Sequence, residues 1–228
     1  MKKRNLYSIL VFISIIIFSN CKNSTNSDST SHNDFEEIKI GNQIWMSENL
    51  NVDKFRNGDP IKEAKTHDEW IRAFNNNEPA WCYYMNDQSN GIKYGKLYNW
   101  YAINDARGLA PDGWHVPSDT EWNELIDFLG GKKVAGGKMK SKTSWAENGN
   151  GNNESGFNAK PSGYRLCDVV DFVYEGKSCG WWSTTQPHKK NSKSYDAWIR
   201  ALNNEESSVG RSTTYGKPAG LSVRCRKD

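Results

Sequence analysis

The stretch GWHVPSDTEWNEL, residues 113–125, decides how the chain is read, because it sets a histidine, acidic residues and two tryptophans within thirteen positions. Those residue types suit an active site and the start of a helix equally, and the spacing selects the helix. Ser118 and Glu121 stand three apart as a capping box: the serine side chain accepts from the N–H of the third helical residue, and the glutamate reaches back to the serine N–H. Trp122, Leu125, Ile126 and Leu129 then recur at helical spacing on one face, and Gly130-Gly131 ends the helix. Asp119 and Glu121 fall in the first turn, where the helix dipole favours negative charge. His115 precedes Pro117 in an extended run, with no nearby serine or cysteine evidently paired to it. The expectation is a buried, hydrogen-bonded histidine and no catalytic residue.

Working outward, Thr66 and Glu69 form a second capping box ahead of Trp70, Ile71, Ala73 and Phe74, with Pro79 beyond the end. Residues 35–50 alternate Ile38 and Ile40 with Ile44 and Met46 around Gly41-Asn42-Gln43, which predicts a β-hairpin. Residues 81–105 read as turns and short strands. Residues 135–165, dense in Gly, Asn and Ser, read as ordered loops pinned by Trp145, Phe157 and Tyr164. There Asn148, Asn150, Asn152, Asn153 and Glu154 offer oxygens of the kind a structural calcium takes, without the carboxylate spacing of an EF-hand; the alternative is Asx turns. No other cofactor is expected. Residues 181–183, 197–200 and 221–224 are strand candidates in the last third.

The chain opens with Lys2, Lys3 and Arg4, an apolar run over residues 9–18, and polar residues ending at Cys21. This pattern predicts an export leader, too short for the roughly 20 apolar residues of a membrane span. Cys21 sits where a lipobox carries its lipid. The polar segment 22–33 is expected to be a disordered spacer, and residues 34–228 one domain. The leader holds three of the 30 basic residues and none of the 27 acidic ones, so the remainder is balanced and the pI of 8.5 largely reflects the leader. No general basic field is left for nucleic acid. Mean hydropathy is −0.83, yet all ten tryptophans lie between Trp45 and Trp198, which implies a loop-rich fold with aromatic cores. Beyond Cys21 stand Cys82, Cys167, Cys179 and Cys225. An even count in an exported domain predicts two disulfides in one of three pairings, and the spacing favours Cys167 with Cys179 and Cys82 with Cys225.

Eight segments in order, GNQIWMSENLNV, PAWCYYMND, YGKLYNWYAIND, GLAPDGWHVPSDTEWNEL, PSGYR, GWWSTT, AWIRAL and SVRC, resemble the Fibrobacter succinogenes major paralogous domain family of exported bacterial proteins. That family is similar to the C-type-lectin-like superfamily, and WHVPSDTEW resembles a segment of formylglycine-generating-enzyme-like domains. The resemblance implies an α+β, C-type-lectin-like fold with two capped helices, short antiparallel strands and long ordered loops. It further implies first and last strands side by side and a ligand face built by loops of the C-terminal half. It also supports the Cys82–Cys225 pairing.

The expected protein is a lipid-anchored outer-membrane lipoprotein, on the periplasmic or surface face, serving as a non-catalytic adhesion module for glycan or protein ligands. Its candidate contacts are Trp181, Trp182, Tyr195, Trp198, Arg200, Arg211 and Tyr215, aromatic faces and forked donors of the kind that dominate binding sites. Trp181 and Trp182 are adjacent on a strand, so at least one is expected to be structural. A retroelement-diversified display scaffold is the alternative, residues 191–215 being rich in Asn, Ser and Tyr. An enzyme is less favoured, because Cys225 lacks the second cysteine that formylglycine generation uses.

Overall fold

The computed structural model describes residues 35–167, 171–187 and 196–228; Cys21, the 22–33 spacer and Tyr195 lie outside them. The hairpin is present as β1 (Glu37–Ile40) and β2 (Gln43–Met46), turning at Gly41 with φ +62°. β3 (Lys62–Glu63), α1 (His67–Asn75), β4 (Ala80–Cys82), α2 (Ser89–Tyr94), β5 (Leu97–Tyr98), α3 (Trp100–Ile103) and β6 (Trp114–His115) follow. Next come α4 (Asp119–Phe128), α5 (Ala135–Met139), β7 (Ser162–Arg165), β8 (Phe172–Glu175), β9 (Ser178–Trp182), β10 (Ile199–Asn203), β11 (Gly210–Ser212) and β12 (Arg226–Lys227). The class is α+β.

Both capping boxes form: Thr66 and Glu69 open α1, and Ser118 and Glu121 open α4. Helix α4 buries Trp122, Leu125 and Ile126. Among the described residues three further short helices, α2, α3 and α5, interrupt the segments read as turns and loops. They are too short for an apolar periodicity, and local chemistry sets them instead: Asn99 caps α3 by accepting from the Ala102 N–H. In α5 the glycines that read as loop are there for close approach, since a Cβ on Gly136 would meet the Ser208 carbonyl at 2.7 Å and Leu202 at 2.8 Å.

Among the described residues the strands make four small sheets. In the largest, of order β1-β2-β12-β6, Arg226 stands opposite both Trp45 and His115, so the last strand pairs with the second strand of the first hairpin and not with the first strand itself. The second sheet has the order β11-β10-β9. The 221–224 candidate is extended but is no strand. Leu221 bonds Tyr98, Ser222 bonds Gly180, and the Val223 carbonyl accepts from Leu50, so its partner changes at each step.

Strand β9 runs between two cores. Trp181 packs on Trp122 and Phe157, at 5.8 Å and 5.3 Å between ring centroids, in a cluster with Trp45 and Leu202. Trp182 packs on Trp100 at 5.6 Å in a second cluster with Tyr98, Trp114 and Tyr164. Burying each such side chain contributes on the order of 1.5–3 kcal/mol.

The disulfide expectation is corrected: none of Cys82, Cys167, Cys179 and Cys225 is in a disulfide. Cys82 is buried beside Trp70 under α1, Cys179 lies in the Trp122–Trp181 cluster, and Cys225 lies in the Trp182 cluster. The pairing failed on register. In the β7–β8 hairpin Arg165 faces Phe172, so Cys167 sits near the turn, whereas Cys179 belongs to β9 opposite Leu202. The Cys167 thiol donates to the Pro218 carbonyl.

Candidate functional site

The structure separates the expected ligand residues. Trp181 and Trp182 are wholly buried and Arg200 is 1 % exposed, so none of the three has a surface to offer. This corrects the expectation that they form a ligand face. The reason is the two-sided burial of β9 and the position of Arg200 beneath the start of α4. Arg200 ion-pairs with Asp119 at 2.6 Å and donates to Asn123 at 2.8 Å.

Asp119 is held by a second arginine as well. The Arg211 guanidinium bonds both Asp119 oxygens and lies 3.4 Å from the Trp198 ring centroid. One face of Trp198 is therefore covered from within the protein, and the stack fastens β10 and β11 to α4. Burial opposes ionisation of Asp119, but the Arg211 hydrogen bond and the Arg200 charge outweigh it and hold the carboxyl below its usual range.

His115 has both ring nitrogens engaged, Nδ1 by Asp228 at 2.7 Å and Nε2 by Glu121 at 2.8 Å. Glu121 also receives the Ser118 N–H at 2.8 Å and Arg226 at 2.5 Å. Burial opposes ionisation of Glu121, but the bonds from Ser118 and His115 outweigh it and keep the carboxyl below its normal range. The histidine ties β6, β12 and α4 together and turns no free nitrogen toward a nucleophile. The asparagine loop is likewise committed to its own backbone: Asn150 accepts from the Trp145 N–H, Asn152 from Glu154 and Asn153 from Asn158.

An open cavity of about 540 Å³ lies over the other face of the β11-β10-β9 sheet. The register explains it. Most positions facing it carry small or polar side chains, with Ala201 opposite both Gly180 and Gly210, and Asn203 opposite Ser178, while Ile199, opposite Ser212 and Trp182, is the bulky apolar residue of this floor. The positions between them, Cys179, Trp181 and Leu202, point into the core. Gly180 must be small, because a Cβ there would lie 2.9 Å from the Tyr164 ring.

Tyrosines wall this floor. Tyr164 is buried and bonds Ser178; Tyr215 packs against it at 5.2 Å and Tyr174 edge-on at 5.9 Å. Tyr174 is 49 % exposed and has φ +66°. That left-handed conformation costs a bulky side chain roughly 1–2 kcal/mol, and strain of this kind gathers at functional sites. Burial, and then its neighbour Tyr174, raise the Tyr215 hydroxyl above its usual pKa.

The rim is braced from behind. Lys140, 3 % exposed, donates to the carbonyls of Asn203 and Glu206, and burial lowers its pKa. The Asn203 side-chain oxygen accepts from the N–H groups of Glu205 and Glu206, which fixes the turn. Glu147 takes Lys177 at 2.7 Å and Asn204 at 3.1 Å. Among the described residues the Asn203 amide nitrogen and the Glu205 carboxylate make no side-chain hydrogen bond. Of the expected residues that the structure describes, only Tyr215 lies on this cavity; Tyr174, Lys177, Ser178 and Ala201 were missed. Their signal was the alternation of small side chains at 178 and 180, and at 201 and 203, which marks a sheet face without bulk.

The model of the Fibrobacter succinogenes major domain matches residues 38–227. The chain belongs to this family. No curated protein and no solved structure matches it. Within the family match, the segments that carried the resemblance build the interior. Asn49 of GNQIWMSENLNV accepts from Trp181 at 2.9 Å and from the wholly buried Arg224 of SVRC at 2.9 Å and 3.1 Å. Arg224 also donates to the Met46 and Phe157 carbonyls, and burial lowers its pKa to about 10. The family motifs therefore brace the fold, and of the cavity residues Ala201 falls within one of them, AWIRAL, while Tyr174 and Tyr215 stand outside them. Among the described residues no helix is long and apolar enough to cross a membrane.

Proposed function

We propose that residues 34–228 form a non-catalytic binding module of C-type-lectin-like kind, exported, held at the outer membrane by a lipid on Cys21, and spaced from it by residues 22–33. Its ligand, a glycan or a protein, lies in the tyrosine-walled cavity over β9, β10 and β11. One observation carries this reading: Tyr174, a half-exposed ring in a left-handed conformation, stands over a floor of mostly small and polar residues. The volume falls within the roughly 300–1,000 Å³ of small-ligand sites. Both ring nitrogens of His115 and both carboxylate oxygens of Asp119 are engaged within the protein, which favours binding over turnover.

Ala201→Trp tests the site whatever the ligand. The indole fills the floor, so the variant is expected to melt cooperatively and to lose binding to any glycan or matrix protein the parent retains. Unchanged binding by a folded Ala201→Trp variant would place the ligand elsewhere.

A further inference from the structure

We infer that the ligand of this cavity is an uncharged glycan, its sugar rings laid against Tyr174 and Tyr215. The inference rests on the cavity being the binding site and adds the chemistry of what fills it.

Charge balance argues against ionic ligands. Two lysines, Lys132 and Lys177, and two glutamates, Glu205 and Glu206, line the cavity, and Lys177 is already paired with Glu147. A sulfated or uronic glycan would need a surplus of cations, which the lining lacks, and to a basic peptide it offers a single carboxylate in excess once Lys177 is counted with Glu147. What remains is a mixture of donors and acceptors, the Asn203 amide nitrogen, the Glu205 carboxylate and the Thr214 hydroxyl, the last shared with Ser212. Sugar hydroxyls, which both donate and accept, match such a mixture.

Main-chain pairing argues against an extended peptide. The cavity lies over a sheet face, where the backbone groups are consumed between strands. The outer edge of β9 beside it is taken by Ser222, which donates to the Gly180 carbonyl at 3.1 Å and accepts from the Trp182 N–H at 3.3 Å. A peptide lying there would leave its own N–H and C=O groups without a ladder. A pyranose needs none: its C–H face packs on an aromatic ring and its rim hydroxyls reach the polar groups around it.

The test is an array of neutral oligosaccharides (gluco-, xylo-, manno- and chito-series), anionic ones (polygalacturonate, heparin) and matrix proteins, probed with the chain from residue 22 onward. The expected result is binding to at least one neutral series, insensitive to added salt. Tyr174→Ala and Tyr215→Ala should each weaken it about tenfold or more. Binding confined to anionic glycans or matrix proteins overturns the inference, as does silence across the neutral series. If such a ligand is still blocked by Ala201→Trp, the site stands and only its chemistry is wrong. If that variant binds normally, the site itself is wrong.

Discussion

Replacing Tyr174 by glycine separates a ligand-facing ring from a structural one. Glycine accepts φ +66° freely, so the change relieves roughly 1–2 kcal/mol of backbone strain. Against this stand about 0.5–1 kcal/mol of glycine chain entropy, about 0.5–1.5 kcal/mol for the edge contact with Tyr164, and about 1 kcal/mol for the buried half of the ring. The net expectation is a loss of about 1 kcal/mol, a fall in Tm of roughly 2–4 °C for a domain of this size. Tyr164→Ala, by contrast, empties a site only 2 % exposed and should cost about 3–5 kcal/mol. Urea unfolding of both variants, with the m-value checked for constancy, gives the comparison. A loss of about 3 kcal/mol or more for Tyr174→Gly would show that the ring holds the fold, and the argument from strain would fail.

Acid stability follows from Asp119 and Glu121. Both carboxyls are held below their ordinary values of 3.8 and 4.5, so their contribution is fully present above about pH 4.5 and is lost as pH falls through the lower folded values. Asp119→Asn should flatten the acid limb of a stability profile, and an unchanged limb would contradict the Arg200–Arg211 clamp. Burial pushes the Cys82 thiol up to about 11 and Cys225 up to about 12, and raises Cys179 further. These thiols should resist iodoacetamide at pH 8 until the protein unfolds, and a reductant should leave Tm unchanged; a reductant-dependent fall of several degrees would restore a covalent staple. Ser118→Ala should cost about 1 kcal/mol through loss of the α4 cap, read by denaturant midpoint, with no effect on binding.

The two capped helices and the first hairpin were legible because each is specified within about a dozen residues. The pattern Ser118, Glu121, Trp122, Leu125 carries its cap, its dipole partner and its buried face together. The short helices were not legible, since α3 depends on one asparagine and α5 on glycines that fit beneath residues 207–208 only once the chain is folded. Trp181 and Trp182 were misread for a related reason. Alternation along a strand tells which residues share a face but not whether one face or both are covered. The candidate site was least legible of all, being assembled from Tyr164, the 174–178 turn and the 199–215 strands, with floor residues whose only mark is small size. The cysteines misled because pairing by spacing presumes the hairpin in which they lie, and Cys179 belongs to the next strand.

Backbone amide shifts of the labelled domain, followed as a bound neutral oligosaccharide is titrated in, test the central claim most directly. The account predicts perturbations centred on Tyr174, Ser178, Ala201, Asn203 and Tyr215, with Asp119 and Trp198 undisturbed. Shifts centred on Asp119 and Trp198 and absent from the tyrosine-walled floor would contradict it.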